Sequence, residues 1–203
     1  MGLVMQAGRE PVAHGTKLRL LETGLALLLE RGYSGLSVQD ILDHTGVPKG
    51  SFYHHFESKE DMALQAVDLY TSQGHTLLDM CLAPDGRPAL ERVRSFFEEL
   101  GSLYESQGYL GCLLGALGQE LSGVNPAFRA KIEECLSSLS VRIAEGLAEA
   151  QAEGTLPAAA DPQELADVLI NTWEGAALRS RLLRSPAPLS ATVEFCFRTI
   201  AAA

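Results

Sequence analysis

The break Gly46-Val47-Pro48 constrains this chain more than any other feature, because it separates two runs of helical spacing with almost no chain between them. Glycine stops a helix, and proline cannot continue one but suits the first turn of the next. On the N-terminal side, Ser37-Val38-Gln39-Asp40 has the form of a capping box, in which Ser37 and Asp40 satisfy opposing backbone donors. Val38, Ile41 and Leu42 then face inward. On the C-terminal side a short helix runs from Lys49 to His55, and Phe52 and Phe56, four apart, anchor it to a core.

The same spacing argument extends both ways. Leu18, Leu21, Leu25 and Leu28 mark a first helix that closes at Gly32 after Arg31. Ser58-Lys59-Glu60-Asp61 is a second capping-box pattern, launching a helix that carries Met62, Ala66 and Leu69 and reaches about Leu82. Pro84-Asp85-Gly86-Arg87-Pro88 is the clearest break in the chain. Beyond it, Leu90, Val93, Phe97, Leu100 and Tyr104 mark one helix. Phe128, Ile132, Cys135, Leu139, Ile143 and Leu147 mark another, ending near Gly154. Leu165, Val168, Leu169, Thr172, Trp173 and Ala176 suggest a helix after Asp161-Pro162, and Val193, Cys196, Phe197 and Ile200 a last one after Pro186-Ala187-Pro188. No stretch alternates with the period of a strand, and no repeat of solenoid length is present. The expected fold is all-α with about nine helices, in two parts: residues 1–60 and residues 61–203.

A loose tail is expected over the first fifteen residues, where Arg9, Glu10, Pro11 and Gly15 leave no apolar run of signal-peptide length. No later stretch approaches the length of a membrane helix, so a cytoplasmic protein without membrane contact is expected. Cys81, Cys112, Cys135 and Cys196 form no C-x-x-C pair and no cluster of zinc-ligand spacing, which suits free thiols in a reducing compartment and no metal or other cofactor.

Three short helices with a tight turn before the third are what a helix-turn-helix needs to project one helix into a major groove. Lys49, Gly50, Ser51, Tyr53, His54 and Lys59 bring to that region cations, a hydroxyl, a residue small enough for close backbone approach and a ring with a polar tip. Charge argues the other way. The chain has 16 Lys and Arg against 26 Asp and Glu, a formal net charge of −10. Residues 1–60 contribute only −1 of it, but that makes them nearly neutral, not basic, and composition alone supports no nucleic-acid partner. Adjacent His54 and His55 invite a metal reading, yet they point about 100° apart on a helix and no further ligand stands at i+4.

The segment Leu36–Glu60, LSVQDILDHTGVPKGSFYHHFESKE, resembles the DNA-binding signature of the tetracycline-repressor (TetR) family, including the aromatic pair and the closing Ser-Lys-Glu. The resemblance covers about residues 14–65, and the helices that follow fit the family's ligand-binding and dimerisation domain in number and order. It implies a homodimeric transcriptional repressor, not an enzyme, that binds palindromic double-stranded DNA. Ser37, Lys49, Gly50, Ser51, Tyr53, His54 and Lys59 match the family's DNA-contacting positions. Lys59 and the backbone at Ser37 suit phosphate, each at a helix N-terminus. Tyr53 suits phosphate with its ring against the sugar, and Lys49, Gly50, Ser51 and His54 face the base edges. His55 stands where the family often has a tyrosine and reads as structural.

The stretch Gly108–Leu121 is the most unusual outside that motif. On a continuous helix Gly111, Gly115 and Gly118 would form one strip, along which another backbone or a ligand could come near. Cys112 would lie in the first turn, where the helix dipole lowers a thiol's pKa. The phrase GCLLGALGQEL resembles a TetR subgroup that includes the N-ethylmaleimide repressor and acrylate-responsive repressors, which implies a small-molecule effector, an electrophile in particular, sensed at Cys112. An inert packed thiol is the other reading of Cys112. Gln119, Phe97, Tyr104 and Trp173 are candidate effector-pocket residues, with plain core as their alternative. Two other classes stay open. A cysteine-dependent enzyme lacks a recognisable His or Asp partner for Cys112 and leaves the DNA motif unexplained. A helical ligand-binding or adaptor protein of the same fold that has lost DNA binding would fit the near-neutral N-terminal part.

Overall fold

The computed structural model describes residues 12–202; of the loose tail expected over residues 1–15, residues 1–11 lie outside them, and residues 12–15 are instead the start of the first helix. Among the described residues the fold is all-α, as the hydrophobic spacing predicts. In chain order the helices are α1 (Val12–Arg31), α2 (Val38–Thr45), α3 (Lys49–His55), α4 (Lys59–Leu82), α5 (Ala89–Ser106), α6 (Leu113–Leu121), α7 (Pro126–Ala152), α8 (Pro162–Leu183) and α9 (Ala187–Ala202). No helix among the described residues is long and apolar enough to cross a membrane. The chain divides into two compact units after Leu69, inside α4, so that the first turns of α4 belong with α1–α3.

In the first unit, Leu20, Leu28, Ile41, Phe52, Phe56 and Met62 are fully buried. Helix α4 comes close to α1 at Gly24, where an added Cβ would fall 2.6 Å from the Met62 sulfur. Leu18, expected inward, is exposed. The leucine-rich α1 can satisfy two adjacent faces, and packing against its neighbours selects the stripe of Leu20, Leu25, Leu27, Leu28 and Leu29. Loops close as the end signals require. Gly46 takes φ 67° and donates its N–H to the Leu42 carbonyl at 2.7 Å, a left-handed cap that a side chain would strain.

The core of the second unit is built from α5, α7, α8 and α9 around Phe97, Tyr104, Ile143, Leu147, Leu169, Trp173 and Phe197. Helices α7 and α8 start on Asn125 and Asp161, whose side chains accept from the first-turn N–H groups, with proline at the next position. Buried Arg92 ties three segments. Its guanidinium donates to the Leu82 carbonyl at the end of α4, to the Arg87 carbonyl at 3.3 Å and to Glu149 at 2.6 Å on α7. Val168, expected inward, is half exposed; α8 presents it beyond the edge of the buried stripe set by Ala166, Leu169, Trp173 and Ala176.

One expected element begins late. Gly108 (φ 73°), Tyr109 (φ 60°) and Gly111 (φ 81°) are left-handed, so Gln107–Cys112 is a loop and α6 starts only at Leu113. The expected glycine strip therefore loses Gly111 and keeps Gly115 and Gly118. Positive φ at a tyrosine is strained, and the loop is held from α8: Arg181 donates to the Leu110 carbonyl at 2.9 Å, and Arg184 to the Gly108 carbonyl at 2.6 Å.

Candidate nucleic-acid interface and sensor cluster

In the first unit the capping box is complete. Ser37 Oγ accepts from the Asp40 N–H at 3.2 Å, and the Ser37 N–H donates to the Asp40 carboxylate at 2.8 Å. The Ser37 hydroxyl, donating to the Asp40 carboxylate at 2.5 Å, and the Ser37 N–H hold that carboxyl below the usual carboxylate range. The Ser37 N–H, expected to meet phosphate, is therefore already donated within the motif.

Helix α3 separates its faces cleanly. Phe52 and Phe56 are buried against each other with ring centroids 5.1 Å apart. Lys49, Gly50, Tyr53 and His54 are exposed, and Ser51 and His55 are half-buried. Tyr53 leaves half of its surface in solvent although its ring meets the edge of Phe52 at 5.3 Å. Gly50 is informative because nothing lies within 4 Å of where its Cβ would be. A glycine inside a helix lowers stability by roughly 0.5–1 kcal/mol relative to alanine, and internal packing offers no reason for this one. Lys59 is placed differently from the sequence expectation of a free phosphate contact. Its ammonium donates to the carbonyls of Tyr33 (3.0 Å) and Leu36 (2.9 Å) and sits 4.0 Å above the Tyr33 ring. It is a tie between α4 and the α1–α2 loop.

In the second unit, the structure brings together three of the expected pocket residues. Trp173 packs on Phe97 and Tyr104, with ring centroids 5.4 and 5.7 Å away, and all three are nearly fully buried. Gln119 is not among them; it lies on the exposed face of α6. The Trp173 indole N–H is buried without a hydrogen-bond acceptor. Tyr104 leads to Cys112 by way of Tyr70: the Tyr70 and Tyr104 hydroxyls are 3.2 Å apart, and Tyr70 donates to the Cys112 sulfur at 3.7 Å. Burial holds both phenols well above their ordinary value.

Cys112 is the N-cap of α6, but its thiol is not activated as the helix dipole alone implies. Desolvation, reinforced by the neighbouring Glu174 carboxylate, pushes it up to about 12. The backbone N–H of Gly115 pulls in the expected direction and is outweighed. Glu174, on α8, is hydrogen-bonded to the Cys112 thiol, and its own carboxyl is raised by burial. Tyr70 and Glu174 escaped the sequence reading. They reach Cys112 from helices α4 and α8, and no local pattern records that meeting. Among the described residues no group of three or more His, Cys, Asp or Glu could hold a metal ion.

Comparisons with known proteins agree with both units. The family model described as bacterial regulatory proteins, tetR family, matches residues 20–66, and that described as tetracyclin repressor-like, C-terminal domain, matches residues 89–195. The transcriptional regulator AcuR of Cereibacter sphaeroides is 39% identical over 84% of this chain and 78% of its own length. The HTH-type transcriptional repressor NemR of Escherichia coli is 28% identical over 87% of this chain and 89% of its own. The crystal structure of a regulatory protein TetR from Rhodobacter sphaeroides superposes with a TM-score of 0.86 at 37% identity, covering 93% of this chain and 98% of that one.

Proposed function

Because this chain belongs to the TetR family of DNA-binding transcriptional regulators, we propose that it is a homodimeric repressor whose α3 reads a palindromic operator and whose release is triggered at the Cys112 cluster. The observation that carries the DNA half is α3 itself, which buries Phe52 and Phe56 and leaves Lys49, Gly50, Tyr53 and His54 outward. Lys49 and Tyr53 take phosphate; Gly50, Ser51 and His54 face the bases. Ser37 and Lys59 stay in the interface as the two members that already hold partners within the motif. They fix the angle of α2 and α4 and take phosphate only by exchanging those bonds.

A second copy of the chain suits the exposed apolar residues of the last two helices. Val168, Leu178 and Leu182 share one side of α8, and Phe195 on α9 leaves 61% of its surface in solvent. Such residues favour an isologous contact, and two-fold symmetry sets two recognition helices one turn of DNA apart.

The test of the DNA reading is Gly50→Leu. Because the space beside Gly50 is open, the variant keeps its thermal midpoint within a few degrees of the parent, while its affinity for the operator falls by about tenfold or more, read by titrating labelled upstream DNA. Unchanged affinity would remove α3 from the interface. The effector half is supported by the buried polar groups gathered around Cys112, which helix packing alone does not call for.

A further inference from the structure

A thiol held near 12 is almost wholly protonated at neutral pH, so a cysteine that reacts there needs a base. The structure supplies one candidate. The Glu174 carboxyl is hydrogen-bonded to the Cys112 thiol, and it occupies a notch that exists only because residue 115 is glycine: a Cβ there would fall 2.1 Å from Glu174 Oε2 and 3.3 Å from its carboxyl carbon. Burial raises this carboxyl, the Cys112 hydrogen bond opposes that shift, and no cation contributes to it. Beside the sulfur stand the Tyr70 and Tyr104 hydroxyls, within hydrogen-bond reach of each other. The Cys112 residue is partly exposed although its thiol is desolvated.

We propose that Glu174 is the proton acceptor that activates Cys112 toward small, uncharged α,β-unsaturated carbonyl compounds, with the Tyr70–Tyr104 pair receiving the carbonyl oxygen. This rests on reading Cys112 as the sensor. In the step, the S–H bond breaks and its proton passes to the Glu174 carboxylate as the sulfur forms a bond to the β-carbon. The alkene π pair shifts to lie between the α-carbon and the carbonyl carbon, the carbonyl π pair moves onto the oxygen, and a tyrosine hydroxyl donates to the resulting enolate. Glu174 then returns the proton to the α-carbon, leaving a thioether and a regenerated carboxylate, with no oxidant or reductant required. The carboxylate with no offsetting cation repels an anionic electrophile, which selects for neutral ones. The thioether occupies the space beside the Gly115 notch and displaces Glu174, pushing α8 away from α6.

The groups facing Glu174 are Cys112 at the start of α6, Tyr104 from α5 and, one hydroxyl further, Tyr70 from α4; Arg181 on α8 is engaged with the Leu110 carbonyl. The thiol and phenols titrate well above neutrality, so the group of this cluster that changes charge at lower pH is Glu174, whose carboxyl is raised by burial. Below its raised pKa it is protonated and cannot accept.

The test follows adduct formation at Cys112 by peptide-resolved mass spectrometry in the full-length wild-type, Glu174→Gln and Cys112→Ser proteins, with methyl vinyl ketone, acrylamide and acrylate as probes. In the wild type the rate with neutral probes rises as Glu174 ionises and then levels off. In Glu174→Gln it is lower at neutral pH by about tenfold or more, and it climbs tenfold per pH unit without a plateau. Acrylate reacts more slowly relative to acrylamide than it does with a free thiol. Identical pH profiles in wild type and Glu174→Gln overturn the role of Glu174 while leaving Cys112 as sensor. Absence of any Cys112 adduct, or normal electrophile-driven release of DNA by Cys112→Ser, overturns the sensor reading as well.

Discussion

Phe52→Ala should abolish operator binding without touching a residue that faces DNA. Phe52 is fully buried, packs on Tyr53 and Phe56 of its own helix and cap, and is the buried residue of α3. Truncating a phenylalanine in such a position costs about 3–5 kcal/mol, through lost transfer energy and the cavity left behind. The first unit is small, and a loss of that size is comparable to the whole stability of a domain of its length. Helix α3 has only seven residues and no side-chain cap, so its helicity depends on this anchorage. The check is hydrogen exchange: amides of α2 and α3 lose protection in the variant, whereas fluorescence of Trp173, the chain's single tryptophan, stays as in the parent. Retained operator binding would show that α3 does not need Phe52 to hold its place.

The second large effect is expected at Trp173. Its indole is 4% exposed, stacks obliquely on Phe97 and Tyr104, and lies close enough to α5 that a Cβ on Gly101 would meet it at 3.7 Å. Trp173→Ala opens a cavity at the centre of the second unit, with a cost of about 3–5 kcal/mol. The orphaned indole N–H moderates that loss. A buried donor without an acceptor carries a penalty of about 1–3 kcal/mol in the native protein, and truncation removes the penalty with the ring. The expected outcome is therefore a destabilisation at the low end of the range, while Trp173→Phe, which removes the same N–H and keeps most of the apolar bulk, is much milder. Urea unfolding followed by far-ultraviolet circular dichroism measures both. A loss in Trp173→Phe as large as that in Trp173→Ala would mean that apolar bulk is not what Trp173 contributes to the core.

The first unit was legible in the sequence because its signals are local and agree with one another. Gly46, Pro48 and the Ser37–Asp40 pair mark helix ends through backbone chemistry that acts over three or four residues, and each was found in place. Leu18 and Val168 missed because a period of 3.6 fixes a face only to within one position when apolar residues are plentiful. The Gly108–Leu121 stretch misled for a different reason. Glycine is compatible with both a helix strip and a left-handed loop, and the choice was made by Arg181 and Arg184, which hold the loop carbonyls from α8. The Cys112 thiol shows the sharpest limit. The helix dipole is a local property that favours the thiolate, but burial and the Glu174 carboxylate, contributed from far along the chain, outweigh it. The exposure of Gln119 was hidden for the same reason, since packing against distant helices decides that Leu113, Leu114, Leu117 and Leu121 form the buried side of α6.

The central claim is that α3 binds DNA through phosphate and base contacts despite a chain whose net charge is −10. The most direct measurement is the affinity of the intact protein for a palindromic site in its upstream DNA over a range of salt concentrations, compared with that of Lys49→Ala. Phosphate contacts release counterions, so log affinity should fall linearly with log salt, and the slope for Lys49→Ala should be shallower by roughly one unit per half-site contact removed. Affinity that does not change with salt, or a slope unaltered by Lys49→Ala, would contradict the assignment of α3 as the recognition helix.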